Sequence, residues 1–572
     1  MRFARLFSMK VRTIFWAVFC ACAVSCRSPD AWRQEADRRA DEHLRRIGAL
    51  TTAEIARPSD LLRHVLMRDP PLPTETATPD GPSPLHGPVF ELTLTDALRI
   101  GARNSREYQD AKESVFRAAL ELALREDQFR HSLSALTTGA YREVRTSEPT
   151  MRGLEGRGAI AAGQTLPSGA SIAANLALDV AKLLTLDKDS AYGLLADATI
   201  TLPLWRGAGR DVVLEPLRQA ERNLLYALWD FQRFRRAFAV RIAGEYLEAL
   251  QQQHAVRYAA ANEERIALAT RRAEQLARAG RLPEVQVDQA RQDLLRARER
   301  TIAARLAAEG RMDRLKLTLG LPPDATIQLD ASELDRLSTG LTPIGTAGDS
   351  DAPPAISSEV IDAWVREALA ARLELRKAQG RAEDARRATR VAANALRAGL
   401  QLEVAGSAGE GRTLSNASAG NARLDASRGH YTARLRWEWP WRRSAERHAY
   451  RLSLLEMERA DRAIEETEDR IKAEVRAAAR DLEQARQSVV IQQKAVEVAR
   501  RRIASVDLFL QAGRAQIRDL LEAQEALVSA QNALTAAVVA HRRAELALAR
   551  DLERLEWDDE GLWRETRHDI QP

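Results

Sequence analysis

Cysteine is almost missing from this chain: of 572 residues only Cys20, Cys22 and Cys26 carry a thiol, all near the N-terminus. Processing at Cys26 would leave no cysteine pair, which excludes a disulfide framework as the source of stability. Aromatic residues are scarce at 5%. The nine histidines are scattered without metal-ligand spacing, and no phosphate-cradling loop or nucleophile elbow is present. The sequence therefore predicts no catalytic residue, no metal and no cofactor. Long apolar runs are also absent. The one candidate, Ile14 to Val24, is too short to span a bilayer as a helix. Nor does one sign of charge dominate, with 86 Lys and Arg against 81 Asp and Glu, a net charge of +5. The two signs interleave as on solvated helix faces, and no basic block suited to nucleic acid stands out.

What is present starts with a leader. Arg2, Arg5, Lys10 and Arg12 precede the short apolar run, the pattern of a signal peptide over residues 1–25. Ala23-Val24-Ser25-Cys26 resembles a bacterial lipobox, in which Cys26 would become the lipidated first residue. Residues 26–91 form an extension with a helical look from about Asp30 to Arg68, then a Pro- and Thr-rich linker.

Beyond that the chain repeats one order of elements. Residues 92–320 read as a helix, strands, a very long helix, a tight turn and a return helix, and residues 358–556 repeat it. A Pro-rich linker, 321–357, separates the copies, with a short strand or helix of its own, and 557–572 is a tail. In the first copy Thr95 is a good N-cap for a helix running to about Phe129. Its counterpart runs from about Trp364 to Leu396. The turns are Ala279-Gly280-Arg281 and Ala512-Gly513-Arg514. The helices before them, about Glu215 to Ala277 and Ala445 to Gln511, would each extend roughly 100 Å. After the second turn Leu520, Leu527 and Leu534 recur every seventh residue, with Ala523, Ala530 and Ala537 between them, a close-packing helical seam.

The strands carry a different code. Tyr431, Ala433, Leu435, Trp437 and Trp439 alternate with Thr432, Arg434, Arg436 and Glu438. Leu400, Leu402 and Val404 alternate likewise, as do Ile172 to Val180 and Ala196 to Leu202, whereas Leu133–Val144 is less clean. A soluble half-buried sheet gives the same period. Length and the aromatic cluster Trp437, Trp439, Trp441 and Trp205 favour membrane strands with an interfacial girdle. About four strands per chain cannot close a barrel, and an open edge in lipid strands backbone groups, so the chain is predicted to assemble with copies of itself.

Together these features resemble the TolC-like outer-membrane efflux family. The likeness rests on Leu94-Thr95-Asp96-Ala97-Leu98, on Thr201-Leu202-Pro203-Leu204-Trp205-Arg206-Gly207, and on the two turns. Val287-Asp288-Gln289-Ala290 and Asp519-Leu520-Leu521-Glu522-Ala523-Gln524 complete it. It implies a mainly α fold with a membrane β-barrel portion, closed as a homotrimer and continued by a periplasmic α-barrel of coiled-coil hairpins. The implied role is a passive exit duct, not an enzyme, for a tripartite pump or type I secretion system. Its partners would be a periplasmic adaptor, an inner-membrane transporter and the lipid of a Gram-negative outer membrane. Gly280, Arg281, Gly513 and Arg514 would form the adaptor-docking tips. Asp519 and Glu522 would ring the periplasmic aperture, while Gln286 stands where the first copy would match Asp519. The alternative is a periplasmic coiled-coil adaptor or scaffold, which needs one hairpin and water-soluble strands.

Overall fold

The computed structural model describes residues 28–51, 90–145, 151–184, 190–340, 355–415, 421–512 and 514–555. The leader, Cys26, Gly513 and the C-terminal tail lie outside these residues. In order, the N-terminal extension holds α1 (Pro29–Thr51) and leads through β1 (Phe90–Leu92) into the first copy. That copy comprises α2 (Leu94–Asn104), α3 (Arg106–Asp127), β2 (Ser132–Val144), β3 (Met151–Thr165), β4 (Ser171–Leu183) and β5 (Ala191–Pro203). It continues with α4 (Arg210–Val213), α5 (Glu215–Arg278) and α6 (Glu284–Leu319). Between the copies lie β6 (Ile327–Leu329) and α7 (Ser332–Gly340). The second copy is α8 (Ser358–Ala371), α9 (Leu373–Ala395), β7 (Gly399–Glu410), β8 (His430–Glu438), α10 (Ser444–Gln511) and α11 (Ile517–Asp551).

Contacts divide the chain into two units, each drawing on both copies. The first holds residues 1–56, 116–227 and 379–462. Its sheet has the order β2-β3-β4-β5-β7-β8, every neighbour antiparallel. The four strands marked by alternation are β4, β5, β7 and β8, and they lie side by side. β2 and β3 extend the sheet to six. Gly153, Gly156, Gly158 and Gly163 dilute the apolar period of β3, which hides it from a period-of-two reading.

Helices of the same unit lock together through polar contacts. Tyr226 on α5 donates its hydroxyl to Asp384 on α9 (2.7 Å). Arg222 and Arg387 contact the same carboxylate, at 3.3 and 2.7 Å, and Arg387 also grips Glu215 at 3.0 Å. Burial, followed by the bond to Asp384, pushes the Tyr226 hydroxyl well above its ordinary range, so it remains a donor. The α1 helix docks on α3 through Arg39–Asp127 (2.9 Å) and buries His43 and Leu44. That gives the N-terminal extension a structural role the sequence left open.

The second unit holds residues 57–115, 228–378 and 463–572. Its first helix starts two residues earlier than Thr95 suggests. Thr93 is the N-cap, its Oγ1 accepting from the Asp96 amide (3.2 Å), because a Thr-x-x-Asp spacing places the acid where it completes the cap. Ser357 caps α8 likewise, ahead of the expected start at Trp364. Each expected long helix is also broken once. Ser105 and Arg372 both adopt extended backbone while their amides bond back to Gly101 and Ala368. No Pro or Gly stands at either break, so composition does not announce it. A parallel β1–β6 pair covers the start of α2, and the Tyr246 hydroxyl donates to the Leu92 carbonyl (2.9 Å). Most of the heptad seam is buried: Leu520, Ala523, Leu527 and Ala537 are core residues, while Ala530 and Leu534 are partly buried. Ile517 and Leu521 pack with Ile266, Val287 and Ala290, which brings the ends of the two helical hairpins together.

Candidate channel surfaces

Because directly paired residues share a face, the ladder registers sort the sheet into two surfaces. On one face lie Leu133, Tyr141, Leu154, Ile160, Ile172, Leu176, Leu178, Ala198, Ile200, Leu402, Val404, Tyr431, Leu435 and Trp437. On the other lie Ser134, Thr138, Arg157, Asn175, Asp179, Asp197, Thr199, Glu403, Thr432 and Arg434. The apolar side chains are not covered: Leu133, Leu435 and Trp437 are 76%, 63% and 66% exposed. A soluble chain seldom leaves so continuous an apolar surface in water.

The polar face neutralises itself across strands. Asn175 donates to Asp197 (3.1 Å), Arg157 faces Asp179 (3.7 Å), and Arg434 faces Glu403 (3.7 Å). On the apolar face charge collects only at the end far from the helices, where Arg152 pairs with Glu143 at 3.1 Å. Tyr141 sits toward that end, whereas Tyr431, at the start of β8, lies opposite Gly406 midway along β7. At the helix-proximal end Trp437 and Trp439 meet edge-on, ring centres 6.2 Å apart, and Arg443 lies over the Trp439 ring. Trp441 and Trp205 are exposed nearby in sequence to the same strand ends. An apolar band edged by aromatics is what a bilayer with two polar boundaries selects.

One feature has no signature in the pattern. The connection after β7 returns over the polar face, so that Leu414 packs on Ala181, Leu183 and Ala191. The Leu414 amide donates to Glu155 (2.9 Å), and Arg412 is buried beside Glu410. A Cβ at Gly153 would collide with the Leu414 side chain, so glycine makes room for this strap. A lone Leu in a polar loop gives no such signal.

The two helical turns share one closing bond. Gly280 takes φ +70°, while the Arg281 amide reaches back to Leu276 (2.9 Å) and the Gly280 amide to Ala277 (2.9 Å), a Schellman closure. In the second copy the Arg514 amide makes the equivalent bond to Phe509 (2.8 Å). Beyond that turn, Asp519 accepts from the Gln516 amide (2.9 Å), so it caps α11 as well as carrying charge. Glu522 is exposed one turn further on. Among the described residues no helix is long and apolar enough to cross a membrane, and no cluster of His, Cys, Asp and Glu is placed to hold a metal.

No family model matches this sequence, and no curated protein does. Solved structures do. The chain has the fold of bacterial outer-membrane channels. It resembles the outer-membrane channel OprN at 15% identity and TM-score 0.54, covering 80% of this chain and 89% of that one. The CmeC outer membrane channel of Campylobacter jejuni matches at 13% identity and TM-score 0.56, over 82% and 86% of the two chains. The outer membrane protein VceC of Vibrio cholerae matches at 14% and 0.55, over 80% and 95%.

Proposed function

We propose that this chain is the outer-membrane exit duct of a tripartite efflux pump or type I secretion system, working as a homotrimer. The observation that carries the reading is the two-faced sheet, whose exposed apolar band and aromatic edges fit lipid while its polar face fits a water-filled lumen. Open sheet edges cannot persist in hydrocarbon, so copies of the chain must close them. The paired hairpins then extend the lumen into the periplasm, where Gly280, Arg281, Gly513 and Arg514 would meet an adaptor bound to an inner-membrane transporter. Residues 1–25 serve as signal peptide, and lipid on Cys26 would anchor the chain to the outer membrane. Flow is passive, and energy comes from the partners. The adaptor alternative loses ground because the chain carries two hairpins and an uncovered apolar sheet.

The full chain is expected in the outer-membrane fraction, extractable only with detergent and conducting in planar bilayers. Recovery as a water-soluble periplasmic species removes this reading. Three copies of Glu522 would place a negative ring at the aperture, so Glu522→Gln lowers cation preference by about twofold without touching the α11 cap. Asp519→Ala lowers it too, and additionally destabilises α11 by about 1 kcal/mol. Unchanged ion selectivity in both variants removes these acids from the aperture.

A further inference from the structure

The sheet ends on two open edges, β2 and β8. We propose that each copy contributes six strands to the barrel, and that β8 of one copy pairs antiparallel with β2 of the next, so that three copies close eighteen strands. The inference rests on the channel reading above and adds the seam and the strand number.

The β2–β3 hairpin follows the same two-faced code as the other strands, with Leu136 and Thr137 as exceptions at mid-strand. Leu133 and Ile160 stand on the apolar side, Ser134 and Arg157 on the polar side. A hairpin lying outside lipid has no need of that partition. Polarity also fits. Six alternating strands leave β2 and β8 running in opposite directions, so facing edges of successive copies meet antiparallel.

Register supplies the third argument. Ser132, Gly163, Ala173, Thr199, Ala405 and Thr432 form one row across the sheet. β2 begins on that row, whereas β8 runs on past it to Glu438, six residues further toward the helices. Shifting by that stagger sets Glu438 opposite Ser132 of the next copy and brings all of β8 against Ser132–Ala140. Apolar residues then meet apolar ones, with Trp437 beside Leu133 and Leu435 beside Ala135, and Tyr431 covers Gly139. A six-residue stagger over six strands implies a tilt of about 35° from strand rise and spacing, within the range of closed barrels. The lumen would be roughly 1.5-fold wider than one of twelve strands, since diameter grows with strand number.

The test is a cysteine pair across the seam in the full chain, in outer membranes. Oxidised Ala135→Cys/Leu435→Cys is expected to give covalent two- and three-copy species that neither single variant forms. A pair joining β8 to β4 instead, Leu176→Cys/Leu435→Cys, is expected to give none, because β3 covers that edge. Cross-linking through Leu176, or its absence through Ala135 in a protein that still conducts, overturns the seam. Cryo-electron microscopy of the unmodified oligomer counts the strands independently. Eighteen supports the proposal, while a conducting oligomer with twelve sinks it and leaves the channel reading standing. A water-soluble chain sinks both.

Discussion

Leu176→Arg is expected to keep the chain out of the outer membrane. Leu176 lies mid-strand on the apolar face, half exposed, with Ile160 and Ala196 on the adjoining strands. A cation at that depth costs about 2–4 kcal/mol per chain, and each copy in a closed barrel bears the same cost. The neighbouring change, Asn175→Arg, places the same charge one residue away on the opposite face, beside Asp197. It should leave insertion intact and alter conductance instead. Membrane fractionation of the two variants decides the matter. Equal insertion of both would mean that the apolar face does not contact lipid.

A comparable loss is expected inside the helical unit from Arg372→Ala. Arg372 sits at the break between α8 and α9, 5% exposed. Its Nε donates to the Asp551 carbonyl (2.9 Å), and the guanidinium also meets the Asp551 carboxylate (3.3 Å) and Glu474. Removing it takes away a cation shared by two acids, but Asp551 keeps Arg550 (2.9 Å) and Glu474, 40% exposed, keeps Arg470 (3.8 Å). The roughly 3–5 kcal/mol of a fully buried broken pair is therefore an upper bound. A cavity of about 450 Å³ opens beside the cluster and admits water, which favours the lower end of that range. Arg372→Lys keeps the charge but not the fork that spans both partners, and should recover only part of the loss. Thermal unfolding of the detergent-purified protein measures the order wild type, Lys, Ala. An Ala variant as stable as wild type would show that the cluster contributes nothing.

How much of this could be seen in the residues alone depended on periodicity. Strands β4, β5, β7 and β8 alternate strictly because both of their faces meet sharply different surroundings, and the alternation survives in the sequence. The Leu and Ala heptads of α11 mark a seam for the same reason. β3 escaped because glycine carries no side chain to report a face. The breaks at Ser105 and Arg372 escaped because tertiary packing, not an intrinsic breaker, ends the helix there. The caps were misplaced by a residue or more, since Thr93 and Thr95 both suit the position and the distance to Asp96 decides between them. The turn conformation at Gly280 was legible from turn chemistry, which says nothing of its proposed docking role. The second role of Asp519 and the strap at Leu414 were not, because each depends on contacts set by a neighbouring element.

Every junction between strand and helix lies at one end of the sheet: the starts of β2 and β7 and the ends of β5 and β8. The far end carries only the connections after β2, β4 and β7. If the chain is the proposed channel, this fixes what must be translocated. Two short connections and the longer strap segment 411–429 would cross the bilayer, while the charged rods would stay on the side from which they came. On that reading, insertion would follow folding of the rods, with the strands threading outward from a platform already built.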